Sequence, residues 1–152
     1  MSTPVERLET MAAETRRFLA QDTALLDIES IGRTRERVQF RVLAENLTGH
    51  KLPTGYPSRR VWLEVQVQSR GSAWFQSGVP DDVGRLVQRE KALHQPHHDR
   101  ITESDQVQIW ELVAADEEGK PTTHLSAMRK PIKDNRFLPR GWQAAGRGIA
   151  PM

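Results

Sequence analysis

The chain has 152 residues, with 22 basic and 20 acidic side chains for a formal charge of +2, and no cysteine. A length of that order suits one domain with its own core. The absence of cysteine excludes disulfides, thiol nucleophiles, Cys-based zinc sites, iron–sulfur clusters and a Cys-x-x-Cys-His haem attachment within these residues. Near-balanced charge argues against general nucleic-acid binding. No apolar run approaches the roughly 20 residues that span a bilayer, and the N-terminus lacks the basic-then-apolar pattern of a signal peptide.

Residues 3 to 20 predict a helix. Thr3 is its N-cap, Pro4 its first helical residue, and Glu6 completes a capping box. Leu8, Met11, Thr15, Phe18 and Leu19 recur at three- and four-residue spacing and form one stripe, which reads as a packing face. From Asp22 the period changes to two. Leu26 and Ile28 begin a weak alternation, a polar turn follows at 32–36, and Val38, Phe40, Val42 and Ala44 form a clean strand.

The stretch from Asn46 to Arg60 breaks the pattern with two prolines and two glycines, so it predicts a surface loop between strands. Val61, Leu63, Val65 and Val67 then alternate as one strand. A turn at 69–72 leads into a hairpin arm at 73–77. Residues 78–104 predict a long loop with at most a short helix near Val83 to Leu93. Alternation returns at Val107 and Ile109 with a bulge expected near Trp110 to Leu112. Residues 116–120 make a turn, 122–128 pair back, and the chain from Lys130 predicts a basic surface tail. About six or seven strands in hairpin order imply a mainly β protein, an antiparallel immunoglobulin-like β-sandwich with one N-terminal helix and long loops. The expected organisation is a helix at 1–21, a sandwich at 22–145 and a frayed tail at 146–152.

Four groups of residues carry candidate chemistry. In the opening loop, His50 is a candidate ligand to a metal or haem iron, and Lys51, Arg59 and Arg60 are candidate contacts to a carboxylate or haem propionate. The competing reading has His50 bonded to its own loop and the arginines paired with acidic neighbours. His94, His97, His98 and Asp99 supply imidazole and carboxylate donors for zinc, copper or nickel, without the spacing of a defined zinc signature. Asp134, Asn135 and Arg136 read as a structural latch, with Glu111 as the acid for Arg136. Trp62, Trp74, Trp110 and Trp142 offer stacking surfaces for a sugar, or simply packing. There is no nucleophile elbow, phosphate loop or paired-carboxylate pattern, so the chain is expected to be non-catalytic.

Three stretches together resemble a known family: Asn46 to Leu63 with its Gly-His-Lys-Leu-Pro-Thr-Gly run, Pro96 to Asp99 with Gln106 to Glu111, and Lys133 to Gly141 with Lys-Asp-Asn-Arg-Phe-Leu-Pro. They are similar to the non-haem region of bacterial multihaem c-type cytochromes. The resemblance spans about residues 10 to 142, and it lacks the family's haem-attachment motifs. It implies an accessory or docking domain in electron transfer and a periplasmic setting. Covalent haem is not expected on this chain. The haem would sit in a neighbouring domain or chain, and His50 would be the residue to test as its ligand.

Overall fold

A computed structural model describes residues 3–86 and 93–142. Among the described residues the protein is mostly β, with eight strands in antiparallel sheets and a single N-terminal helix. It divides into two compact units, residues 1–52 with 137–152, and residues 53–136. The single body expected at 22–145 is therefore two units, because the chain leaves the first after Leu52 and returns to it at Phe137.

The first unit opens with helix α1, Pro4–Gln21. Its start is as predicted: the Thr3 hydroxyl accepts from the Glu6 amide, and the Glu6 carboxylate accepts from the Thr3 amide at 2.7 Å. The packing role expected for its stripe is not realised. No α1 side chain is buried, and Leu8 is 66% exposed. The next element is a hairpin of β1, Ala24–Arg33, and β2, Val38–Asn46. Its register pairs Leu26 with Ala44 and Ile28 with Val42, and places Leu25 opposite Glu45 and Glu29 opposite Arg41. Alternation thus gives the hairpin one apolar and one charged face. The β1 half of the apolar face is uncovered, with Ile28 62% exposed.

The second unit has a four-stranded sheet and a separate hairpin. In the sheet, β6 (Ile109–Ala115) pairs with β3 (Arg60–Trp62), β7 (Pro121–Thr122) and β8 (Lys130–Asp134). The hairpin joins β4 (Val65–Ser69) to β5 (Ser72–Ser77) through Arg70 and Gly71, both at positive φ. Two such central residues make the turn whose twist suits a two-residue hairpin. Leu86, Val107 and Ile109 form the apolar core, with Val107 fully buried.

Several expectations are corrected here. The strand expected over 61–67 is two strands, since Leu63 turns to bond Gln108 and lies against Gly78, where an added Cβ would stand 2.3 Å from the Leu63 carbonyl oxygen. Residues 122–128 pair back only through Thr122 and continue as a 3-10 turn at Leu125–Ala127. The expected surface tail instead begins with β8 on the central strand. The bulge lies at Val113/Ala114, just beyond the expected place. Residues 83–86 of the expected short helix form a turn closed by Asp81, while 87–92 and the tail at 146–152 lie outside the described residues.

Candidate functional site

In the first unit, the opening loop is organised by a side chain that the sequence reading gave no role. Asn46 is 4% exposed and uses its whole amide. Its Nδ2 donates to the carbonyls of His50 at 2.7 Å and Leu138 at 3.0 Å, and its Oδ1 accepts from the amide and hydroxyl of Thr48. Leu52 and Phe137 exchange both backbone hydrogen bonds, and the Arg140 amide donates to the Thr48 carbonyl. These bonds hold the loop to residues 137–140.

That clamp fixes the His50 ring. Its Nδ1 lies 3.1 Å from the Lys51 carbonyl oxygen and 3.2 Å from the Thr48 hydroxyl. A carbonyl only accepts, so Nδ1 must carry the proton, and the neutral ring leaves a lone pair on Nε2. His50 is exposed, and among the described residues its Nε2 has no partner. Histidines that bind metals commonly hold their other ring N–H on a carbonyl in this way. Of the two readings of His50, the structure shows the bond to its own loop, made through Nδ1. Lys51, half-buried, belongs to the same unit.

Arg59 and Arg60 belong to the second unit. Arg59 donates to the Thr54 carbonyl at 3.2 Å. Arg60 stands opposite Glu111 in the β3–β6 ladder, and its guanidinium has no partner among the described residues. It lines a cleft of about 430 Å³ with Ser58, His94, Gln95 and Glu111, in which the buried Nδ1 of His94 is also without a partner.

Below that cleft runs a buried polar network. Glu111 accepts from Lys133 at 2.8 Å, with both side chains nearly buried, and Lys133 also donates to the Ile109 carbonyl. The acid expected for Arg136 therefore pairs with Lys133, its near-opposite neighbour on β8. Arg136 instead makes two bonds to Asp134, at 2.8 and 2.9 Å. Hydrogen bonding to Asp134 raises the Arg136 pKa above its ordinary value, against the opposing effect of burial. Asn135 completes the latch, accepting from the Glu111 amide and donating to the Ile109 carbonyl.

The expected metal set is not brought together. His97 Nδ1 receives two amide donors, Gln108 at 2.8 Å and Asn135 at 2.9 Å, and its Nε2 faces Asp99 at 3.2 Å. The donor sense is fixed because Gln108 Oε1 already accepts from the His98 amide and Asn135 Oδ1 from the Glu111 amide. Both ring nitrogens of His97 are spent, and His98 Nε2 contacts Gln95. Among the described residues no group of three or more potential ligands is placed to hold a metal ion. Gln108 and Gln95, both buried, escaped the sequence reading because an uncharged amide gives no signal in an alternating strand or a polar loop.

The tryptophans are dispersed. Trp62 donates to the Gly78 carbonyl, Trp110 lies on the neighbouring strand, Trp74 is on the β4–β5 hairpin and Trp142 is in the first unit. Compared with known family models, curated proteins and solved structures, the chain matches none.

Proposed function

We propose that this chain is a non-catalytic docking module that sits against a multihaem c-type cytochrome, with His50 offered to a haem of that partner. The observation that carries the reading is the His50 ring, locked with Nδ1–H on the Lys51 carbonyl and Nε2 outward. It joins the resemblance of Asn46 to Leu63 and Lys133 to Gly141 to the non-haem region of those cytochromes. Haem, when bound by the partner, supplies one-electron redox chemistry. The first unit supplies a pre-set imidazole and Lys51, and the second unit separately supplies Arg59 and Arg60 as cations for a partner's acidic groups. The setting that goes with this reading is periplasmic.

A docking role also accounts for the apolar surface of the first unit. Val5, Leu8, Met11, Phe18 and Leu19 on α1, with Leu26 and Ile28 on β1, are all exposed. Exposed large apolar side chains on a helix stripe are the raw material of an interaction site where they form one patch. The immunoglobulin-like sandwich expected of the chain's own strands belongs to the same proposal.

The test is an NMR titration of the isotope-labelled chain with a purified multihaem c-type cytochrome. The expected result is broadening of amides in α1, β1 and 48–52, abolished by Leu8→Glu together with Leu19→Glu. Unchanged spectra at every ratio, or perturbation confined to the second unit, would overturn the reading.

A further inference from the structure

A separate surface of the second unit has a different chemistry. On the β4–β5 hairpin, Val65, Val67, Phe75 and Ser77 face inward, while Gln66, Gln68, Trp74 and Gln76 face out. The ladder slips between Val67 and Gln68, leaving Trp74 outside the paired register and 68% exposed. The outward amides form a row in which Gln68 donates to Gln66 and Gln66 donates to Glu64. Beside the indole is a shallow concavity of about 390 Å³, walled by Trp74 and Gln76 on one side and Thr102, Glu103 and Ser104 on the other.

The far wall is held in place from beneath. Gln106 Oε1 accepts from the amides of Thr102 and Glu103, at 2.7 and 3.1 Å. Ser77 donates to the Gln106 carbonyl at 2.7 Å, which ties that turn to β5. Among the described residues, the Gln76 amide, the Glu103 carboxylate and the Ser104 hydroxyl have no partner. The concavity thus sets an exposed indole beside a turn held in place, with donors and acceptors at its edge.

We infer that this concavity binds a neutral oligosaccharide, one pyranose ring lying on Trp74 with its hydroxyls on Gln76, Glu103 and Ser104. The π-face of an indole carries partial negative charge and takes the C–H face of a sugar ring. An amide both donates and accepts, which matches a hydroxyl, and a carboxylate accepts from one. Glu64 and Glu103 disfavour acidic sugars by like-charge repulsion. A protein partner fits this surface less well, because a single large apolar side chain among glutamines gives no apolar patch. The site is independent of the docking surface on the first unit.

The experiment uses the full chain and a panel of cellohexaose, chitohexaose, maltohexaose and xylohexaose, with polygalacturonate as the acidic member, read by tryptophan fluorescence and calorimetry. At least one neutral member is expected to quench and bind. Trp74→Ala lowers its association by on the order of tenfold, the equivalent of about 1.4 kcal/mol, and Trp74→Tyr restores part of it. An unchanged circular dichroism spectrum and melting temperature of Trp74→Ala separate loss of the site from loss of fold. Three results would overturn the inference: no neutral member binds, binding is the same in Trp74→Ala, or only polygalacturonate binds. Self-association that disappears in Trp74→Ala without any sugar binding would assign the surface to a second copy instead.

Discussion

At the scale of single residues, the functional candidate and its support were unequally legible. His50 stood out because imidazole in a Gly/Pro-rich loop is chemically conspicuous. Asn46 did not, since asparagine at the end of a strand looks like ordinary turn composition. Yet Asn46 decides the geometry around His50. Asn46→Ala would leave the His50 and Leu138 carbonyls and the Thr48 amide without their shared partner, at a cost of about 1–3 kcal/mol. The same variant should release the ring, and the measurement is the ¹⁵N shift pair of the imidazole: wild type shows protonated Nδ1 and unprotonated Nε2, and Asn46→Ala shows exchange between tautomers. The Glu111–Lys133 pair gives a second residue-level outcome. Lys133→Met strands a nearly buried carboxylate and should cost roughly 3–5 kcal/mol, whereas adding Glu111→Met should recover most of the loss, as read by denaturant unfolding. The Arg136–Asp134 pair is different in its pH response. Because the Arg136 pKa is raised on folding, its contribution is fully present below the ordinary arginine value and is lost only as pH rises past it, so Arg136 itself gives no pH dependence near neutrality.

The regular elements were read best where local chemistry defines them. The Thr3, Pro4 and Glu6 cap gives the start of α1, and the Arg70–Gly71 turn gives the β4–β5 hairpin. Reading failed where a distant backbone intervened. Nothing in Val61 to Val67 reports that Gly78 will crowd Leu63, and the strand breaks there for that reason. Gly78→Ala should therefore be far more damaging than a surface substitution, since φ is +72° and the Cβ meets a backbone oxygen; a drop in melting temperature of several degrees with loss of the Trp62 to Gly78 bond is the expected result. β8 was missed because Lys130, Pro131 and Lys133 look like a surface tail. Pro131 fits because it sits at the bulge opposite Ala114, where a missing N–H costs little, and Lys133 fits because Glu111 neutralises it. Helix α1 buries none of its side chains, so its amides in the free chain should exchange with solvent much faster than those of β6, by hydrogen-exchange mass spectrometry.

For the whole molecule, hydrophobic periodicity gave a β-rich chain with an N-terminal helix, and it could not give the division into two units. That division follows from tertiary contacts between 46–52 and 137–140, which have no local signature. The two units present contrasting surfaces, an apolar one on α1 and β1 and an amide-rich one around Trp74. Described residues include no helix long and apolar enough to cross a membrane. Under the proposed docking role, the apolar stripe of α1 meets the protein partner and His50 is the ligand offered to its haem. The most direct measurement is an optical titration of a c-type haem peptide with one open axial position against the chain. The account predicts conversion of high-spin to low-spin haem by the wild type and none by His50→Ala. Conversion that persists undiminished in His50→Ala, or no conversion by the wild type, would contradict it.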